Sequence, residues 1–366
     1  MRKISGLIYT KDGIFQTGTL SVEEDKIVDI TFEKLDQTDL NYIIPGLVDI
    51  HFHGCAGYDF CDGTKEALTA IEKYELEHGI TSICPATMTL SADRLAKICT
   101  VAAEAGLSNL RGINLEGPFI SLAKKGAQNP AYIQKPNTEL LERLNECSKG
   151  LVKLVAIAPE EEGAMECIKE YSDKVQFSIA HTCADYDTAS EAIEAGASHV
   201  THLYNAMPPF THRAPGVVGA AFDHKNTDVE LICDGVHIHP SMVRATFSMF
   251  GADRVILISD SMMATGMEDG MYELGGQDVT VKGNLATLKD GTIAGSATNL
   301  YDCMVHAIGM GIPVEDAVKA ATKNPARSIG IDKEYGSLEV GKKADILIMN
   351  KQYDLLEIIK AGKTVI

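Results

Sequence analysis

The chain has 366 residues, about two and a half times a typical domain length of roughly 150 residues, so it holds two domains or one large barrel with a smaller unit. A composition of 45% hydrophobic and 23% charged residues excludes wholesale disorder. The 33 basic and 51 acidic side chains give a formal net charge of -18. Such a charge excludes a general binder of nucleic acid or of anionic membranes, because both need a cationic face.

The sequence also indicates the cellular compartment in which the protein works. No apolar run reaches the roughly 18 residues that span a bilayer, and the first residues lack the apolar core of a signal peptide. The nine cysteines are scattered without a CxxC pair, which excludes a disulfide framework and a structural thiolate zinc site. We therefore expect a cytoplasmic protein whose cysteines are mostly buried.

From the amino terminus, residues 1–43 predict short antiparallel strands, and from residue 44 apolar strand-like runs alternate with amphipathic helical segments. The apolar runs are 46–50, 81–85, 112–115, 151–156, 175–180, 199–201, 229–233 and 255–259. The helical segments include 65–78, 92–105, 138–147, 184–195 and 240–250. Apolar runs separated by helices favour a parallel sheet, and eight of them favour an α/β fold of the (β/α)8 TIM-like barrel type.

The last hundred residues return to β structure. Residues 272–293 predict a β insertion, helices follow over 300–310 and 313–323, and strand-like sequence resumes after residue 335. Each terminal β segment has too few strands to be stable alone. We therefore expect residues 1–43 and 335–366 to form one small, discontinuous β-sandwich domain beside a barrel of residues 44–334.

Candidate metal ligands follow these runs at their carboxyl ends. His51 and His53 follow the first run, Glu116 the third, His181 the fifth and His202 the sixth. The carboxyl ends of a parallel barrel converge on one face, so we expect these side chains to meet in one pocket. Each alone is compatible with an ordinary polar residue at a strand end, but their shared placement favours a metal site. Imidazole and carboxylate without thiolate suit zinc, iron(II), manganese or cobalt.

Asp260 follows the eighth run and is a candidate general acid and base. A carboxylate beside a metal-activated water can take its proton and later deliver it to a leaving amine. The sequence has no GxxxxGK phosphate loop and no GxSxG elbow, so ATP chemistry and serine nucleophile chemistry are unsupported. Metal-dependent hydrolysis is the favoured reaction class.

The substrate side of the pocket is predicted from the loops. Arg213 lies in a long segment after the sixth run and is placed to grip a phosphate, with backbone N–H groups near Asn205 and Ala206. His237 follows the seventh run and is a candidate substrate ligand. An anionic substrate would thus meet a local cation in an acidic protein.

The motifs LEGPF at 115–119, HLYNAMP at 202–208 and DGVH at 234–237 resemble the amidohydrolase superfamily and, within it, the N-acetylglucosamine-6-phosphate deacetylases. The resemblance covers essentially the whole chain. It implies a homodimeric enzyme that hydrolyses the acetamide of N-acetylglucosamine 6-phosphate to glucosamine 6-phosphate and acetate, with no nucleic acid or membrane partner.

The resemblance also implies roles for individual residues. Glu116, His181 and His202 would hold the main metal, and Asp260 would be the acid and base. Sugar and phosphate would be bound by Gln128, Asn205, Ala206, Arg213 and His237, with phosphate contacts partly lent by the neighbouring subunit. Because His51 and His53 are both present, we predict two divalent ions bridged by Glu116.

One departure from the family pattern concerns the segment KKGAQN at 124–129. Gln128 stands where the family normally has a histidine that polarises the acetyl carbonyl, so oxyanion stabilisation is weaker or falls to a second metal. The alternatives are an N-acetylgalactosamine 6-phosphate deacetylase, a cyclic-amide hydrolase, and a catalytically poor sugar-phosphate sensor. Cyclic-amide hydrolases of the dihydroorotase or hydantoinase kind typically use a carboxylated lysine at the end of the fourth strand. This alternative is disfavoured because residues 156–159, at the end of the fourth run, contain no lysine.

Overall fold

A computed structural model describes residues 1–35 and 39–366 as a mixed α/β fold. The strands are β1 (Arg2–Tyr9), β2 (Phe15–Glu23), β3 (Lys26–Phe32), β4 (Tyr42–Pro45), β5 (Leu47–Asp49), β6 (Gly54–Cys55), β7 (Tyr58–Asp59), β8 (Ile80–Ile83), β9 (Ala86–Thr87), β10 (Ile113–Phe119), β11 (Val152–Ile157), β12 (Gln176–Ile179), β13 (His199–Val200), β14 (Asp228–Ile232), β15 (Val255–Ile258), β16 (Gly270–Leu274), β17 (Gln277–Lys282), β18 (Leu285–Thr287), β19 (Ile346–Met349), β20 (Leu355–Lys360) and β21 (Lys363–Thr364). The α-helices are α1 (Lys65–Glu77), α2 (Ala92–Ala105), α3 (Thr138–Cys147), α4 (Ala164–Tyr171), α5 (Tyr186–Ala195), α6 (Gly216–Asp223), α7 (Pro240–Phe250), α8 (Leu300–Gly309), α9 (Val314–Ala321) and α10 (Lys323–Ser328).

Seven strands, β9 to β15, form one curled parallel sheet in chain order, and β5 pairs in parallel with β8. All eight predicted apolar runs overlap a strand of these two sheets. Consecutive residues of a strand divide between two cores because side chains alternate across a sheet. In β15, Ile256 and Ile258 pack in a cluster with Val48 and Ile50 of the β5 segment, whereas Leu257 belongs to the larger core. The parallel α/β expectation is confirmed, and the barrel is confirmed in part.

Strands from both ends of the chain form a second seven-stranded sheet, in the order β21-β20-β19-β4-β1-β2-β3. β4 is its junction, since it pairs in parallel with β1 and antiparallel with β19. The buried face of this sheet is covered partly by Leu338 and Ala344, which lie outside the strands. The shared sheet agrees with a unit built from both termini, but the expected β-sandwich is not confirmed, because the described terminal strands belong to a single sheet.

The remaining elements follow the predictions closely. The insertion after β15 is an antiparallel sheet of β16, β17 and β18. The helix predicted over 313–323 ends earlier, at Ala321, and α10 begins at Lys323. Seven of the nine cysteines are buried, and the described chain contains no disulfide. Over residues 1–35 and 39–366, every helix is too short or too polar to cross a membrane.

Candidate metal-dependent active site

Most of the predicted ligands lie just after strands, as expected, but Glu116 lies inside a strand that continues to Phe119. Glu116 lies within β10, and His181, His202 and Asp260 follow β12, β13 and β15. The last three adopt left-handed backbone with φ of 45°, 29° and 49°. Such a conformation costs a non-glycine residue on the order of 1–2 kcal/mol, so the surrounding structure must hold it. Strain of this kind turns each side chain sharply out of its strand direction.

The ligands form two adjoining sets of three. We call Glu116, His181 and His202 the Glu116 group, and His51, His53 and Asp260 the His51 group. In the Glu116 group, Glu116 Oε1 lies 3.1 Å from His181 Nε2 and 3.1 Å from His202 Nε2, and the two Nε2 atoms lie 3.2 Å apart. These separations match the edges of a tetrahedral site, about 3.4 Å for ligands at roughly 2.0–2.1 Å from a metal.

The His51 group adjoins the same carboxylate. His53 Nε2 lies 3.2 Å from Glu116 Oε2 and 3.4 Å from Asp260 Oδ1. His51 Nε2 lies 3.3 Å from Glu116 Oε1 and 3.8 Å from Asp260 Oδ1. Glu116 therefore faces both groups: Oε1 lies beside His181, His202 and His51, and Oε2 lies beside His53.

The hydrogen bonds of the histidine rings leave ring nitrogens available to bind a cation. Lys124 O lies 2.8 Å from His181 Nδ1, and since a carbonyl only accepts, Nδ1 carries a proton and Nε2 is left as the nitrogen that would bind a metal. His51 Nε2 is a buried nitrogen without a hydrogen-bond partner within the described residues. An unpartnered buried nitrogen is costly unless something else binds it. Both groups thus fit a divalent metal held by nitrogen and oxygen.

The electrostatics of the cluster favour added positive charge. Burial disfavours the charged form of His53, but hydrogen bonds to Asp260 and Glu116 outweigh it and raise the pKa of His53 to about 10. Burial likewise opposes ionisation of Glu116, yet His51, His181 and His202 hold the pKa of Glu116 well below its ordinary value. The carboxylates therefore stay ionised and attract protons or metal ions.

The ligands open into a cavity of about 370 Å³, a size suited to a small molecule. Of the predicted metal and catalytic residues, all but His51, which lies fully buried behind the others, line it. The predicted substrate residues Gln128, Asn205, Ala206 and His237 also line it. Strands far apart in sequence thus deliver one site, as the strand-end argument predicted.

Arg213 is the predicted substrate residue that does not line the cavity. It lies in the exposed loop 211–214 and is absent from the cavity lining, so its phosphate role stays a prediction. Among the described lining residues, the one lysine or arginine is Lys124, whose Nζ donates to Met207 O at 3.3 Å. The sequence signal for Lys124 was its place in the KKG box, although we had assigned it no role.

Gln128 is engaged differently from the expectation. Its Nε2 donates to Glu116 Oε2 at 2.6 Å, and its Oε1 accepts from Thr89 N at 2.6 Å. Both ends of the amide are therefore used, and the side chain is 2% exposed. Gln128 fixes the orientation of the Glu116 carboxylate as well as lining the cavity.

His237 is held by a carboxylate of its own loop. Asp234 Oδ2 lies 2.7 Å from His237 Nδ1, and Asp234 Oδ1 accepts from the backbone N–H groups of Val236 and His237. Burial opposes protonation, but Asp234 raises the pKa of His237. The ring is thus fixed by Nδ1, which leaves Nε2 as its free nitrogen.

Sequence reasoning missed the residues behind the ligands. Glu230 lies in β14 with its oxygens 2.9 Å from His51 Nδ1 and 3.0 Å from His199 Nε2, and all three residues are fully buried. The available signal was a glutamate inside the apolar run 229–233, where a charge is costly unless it is paired.

Comparison with known proteins agrees with this geometry. Residues 42–365 match the Amidohydrolase family. The chain is 36% identical to the N-acetylglucosamine-6-phosphate deacetylase of Bacillus subtilis (strain 168), over 97% of this chain and 94% of that protein. It is 30% identical to the N-acetylgalactosamine-6-phosphate deacetylase of Escherichia coli O157:H7, over 89% of this chain and 88% of that one.

A solved structure is similar over the whole length. It is that of a mutant N-acetyl-D-glucosamine-6-phosphate deacetylase from Mycobacterium smegmatis in complex with N-acetyl-D-glucosamine-6-phosphate. The TM-score is 0.94 at 31% identity, over 100% of this chain and 99% of that chain.

Parallel strands that end in buried histidines and carboxylates around one cavity are typical of metal-dependent hydrolases. The chain belongs to the amidohydrolase family. Its relatives within that family are the deacetylases of N-acetylated hexosamine 6-phosphates, as the resemblance had implied.

Proposed function

We propose that the protein hydrolyses the acetamide of N-acetylglucosamine 6-phosphate to glucosamine 6-phosphate and acetate. The observation that carries this conclusion is the pair of buried ligand groups joined at Glu116, at the floor of a substrate-sized cavity. The substrate follows from relatives that match nearly the full chain and are N-acetylglucosamine-6-phosphate deacetylases.

The Glu116 group would hold the main metal, and the His51 group a second ion bridged by Glu116. Zinc, iron(II), manganese and cobalt all suit these ligands. When bound, such an ion polarises the acetyl carbonyl and lowers the pKa of a water toward about 7. Two ions per chain is the count we propose, because each group offers three buried ligands of its own.

Asp260 moves the proton in this reaction. Its carboxylate lines the cavity, and although burial opposes ionisation, a hydrogen bond from His53 keeps the pKa of Asp260 low. An ionised Asp260 accepts the proton of the attacking water and returns it to the departing amine. Gln128 fixes the orientation of the Glu116 carboxylate, and His181 lies beside Glu116 as another ligand of the same group.

The sugar phosphate is bound by Asn205, Ala206 and His237, with Arg213 on the phosphate. The exposed loop 211–214 lies outside the lining of the cavity in its own chain. We therefore propose a homodimer in which residues of one subunit contact the phosphate bound in the other. Phe210, beside this loop, is 43% exposed, and aromatic side chains are enriched in protein interfaces. A phosphate dianion needs more cationic charge than the single lysine of the lining supplies.

We also propose that the eight strands close into a (β/α)8 barrel over residues 44–334, with residues 1–43 and 335–366 as a separate β unit. Two contacts between the first and last strands support closure. Asp260 N donates to His51 O at 2.9 Å, and Ser259 Oγ donates to Asp49 Oδ2 at 2.5 Å.

The decisive experiment measures acetate release with the metal content quantified in the same preparation. The panel comprises N-acetylglucosamine 6-phosphate, N-acetylgalactosamine 6-phosphate and their unphosphorylated forms. Dihydroorotate, which has no acetyl group, is assayed separately by the loss of its ring absorbance. We expect the phosphorylated gluco sugar to be the best substrate. The galacto epimer is the second candidate, since a relative 30% identical carries that name. Sugar phosphate bound without acetate release by metal-loaded protein would contradict the proposal and favour a sensor.

A further inference from the structure

We infer that Glu230 is the positioning residue of the metal site, which orients one ligand of each group and is needed for the His51 group to hold an ion. The inference rests on the proposed metal dependence but concerns a residue, Glu230, that does not line the cavity. Glu230 lies in the middle of β14 with no exposed surface.

Within the described residues, every hydrogen bond of the Glu230 carboxylate is with a histidine. Oε1 lies 3.0 Å from His199 Nε2, and Oε2 lies 2.9 Å from His51 Nδ1. Oε2 also accepts from the backbone N–H of His202 at 3.0 Å. A charge buried inside a parallel sheet is costly, and here it is offset by three N–H donors.

The first consequence concerns the imidazole of His51. An ionised carboxylate only accepts hydrogen bonds, so the proton of His51 resides on Nδ1. Nε2 then keeps a lone pair, and this atom faces Glu116 at 3.3 Å with no hydrogen-bond partner in the described chain. A carboxylate behind a histidine fixes both the tautomer and the ring plane of a metal ligand.

The second consequence concerns the backbone at His202, which is left-handed with a φ of 29°. Glu230 bonds this turn twice, because its side chain accepts from His202 N and its main-chain O accepts from Leu203 N at 2.9 Å. The turn sends His202 Nε2 to within 3.1 Å of Glu116 Oε1. Glu230 thus links the His51 group to the Glu116 group from behind.

A second layer holds Glu230 itself. His199 donates through Nε2, and its Nδ1 lies 3.3 Å from Ser328 Oγ at the end of α10. The carboxylate therefore has a fixed partner on the side away from the metal ligands. Its orientation is set by the sheet and helix rather than by the cavity.

The test is Glu230→Gln, which keeps the shape but leaves one oxygen for three N–H donors. The amide NH₂ opposite His51 favours a proton on His51 Nε2, the atom that must bind metal. Metal-depleted protein is titrated with Zn²⁺ by competition with a chelating dye, and Co²⁺ absorption reports ligand geometry. We expect affinity at the His51 group to fall roughly 10–100-fold, the usual loss when a partner behind a metal ligand is removed.

Glu75→Gln is the matched control. Glu75 of α1 is 1% exposed and, within residues 1–35 and 39–366, makes no hydrogen bond to any site histidine. A merely structural role for a buried glutamate predicts equal effects of the two substitutions on Zn²⁺ affinity. Positioning predicts normal Zn²⁺ binding by Glu75→Gln. Wild-type Zn²⁺ affinity and Co²⁺ spectrum in folded Glu230→Gln would overturn the inference.

A measurement on the wild-type protein covers the case in which Glu230→Gln fails to fold. Zinc-loaded protein should show a hydrogen-bonded Nδ1–H resonance from His51, assigned by its loss in His51→Asn. A His51 proton on Nε2 would overturn the inference. Metal loss in Glu230→Gln together with no acetate release by zinc-loaded wild-type protein would leave the inference standing and remove the proposed function.

Discussion

The floor of the cavity and its rim differ in how firmly the chain holds their charged side chains. The floor is the His51 group and the Glu116 group, whose members are all less than 9% exposed. By the rim we mean Lys124, which lines the cavity and is partly exposed, together with the exposed loop 211–214, whose Arg213 lies outside the lining. The proposed hydrolytic site is thus preorganised within one chain, whereas the proposed phosphate contacts use side chains that would have to be ordered by the ligand or by a second subunit.

Asp260→Asn tests the floor and carries the largest expected effect. Loss of the proton acceptor should lower kcat on the order of 10²–10⁴-fold, while the Glu116 group keeps its ion. Acetate release and metal content measured on the same sample check this outcome. Near-normal turnover would exclude Asp260 as the acid and base and leave the floor with a purely metal-binding role.

The pH dependence of the floor follows from His53, whose pKa in the folded protein is raised to about 10 from an ordinary 6.5. In metal-free protein, the stabilisation by its proton is complete below pH 6.5 and is lost as the pH rises toward 10. We therefore expect the Tm of metal-free protein to fall between pH 7 and 10. Metal affinity should rise over the same range, up to roughly tenfold per pH unit for one displaced proton.

His53→Asn is the control for this pH dependence, because it removes the titrating imidazole. The difference in Tm between wild type and variant should shrink as the pH rises. A difference that stays constant from pH 7 to 10 would show that His53 does not hold its proton in the metal-free protein. The measurement needs only differential scanning calorimetry.

Arg213→Ala tests the rim. A hydrogen bond to a charged group contributes about 1.5–3 kcal/mol, so KM for the 6-phosphorylated sugar should rise roughly 10–100-fold with kcat little changed. Unphosphorylated N-acetylglucosamine should be turned over almost as before. Equal losses on both sugars would remove Arg213 from phosphate binding and shift that role to Lys124.

Gln128→Leu carries the smallest expected effect. It removes the donor to Glu116 Oε2 and leaves Thr89 N without its acceptor. An unsatisfied buried group costs about 1–3 kcal/mol, so Tm should fall by several degrees and kcat/KM by roughly tenfold. A large loss of kcat with unchanged stability would instead indicate that Gln128 acts directly on the acetyl carbonyl.

Much of the floor was predictable because strand ends can be located from apolar runs. The position of His181 or Asp260 after such a run is a local property of the sequence. His239, which precedes Pro240, likewise caps α7 by accepting from Ser241 N. Local signals of this kind need no knowledge of neighbouring strands.

The partners behind the floor were not predictable in this way. The contact of Glu230 with His51 joins residues 179 positions apart and exists only because β14 and the β5 segment face the same core. The bond from Gln128 to Glu116 depends on how the loop after β10 folds back. For Arg213 the sequence position was misleading in the other direction: it suggested a place in the cavity, but the side chain lies outside the lining.

The junction strand β4 has a consequence for the order of events during synthesis. β4 leads directly into β5 and His51, yet its antiparallel neighbour is β19, residues 346–349. The strand before the first ligands therefore lacks that partner until nearly all of the chain has left the ribosome, at about 5–20 residues per second. His51 and His53 are therefore synthesised long before the strand that precedes them is fully paired. A nascent chain that meets metal before β19 emerges offers these two ligands beside an incompletely paired β4.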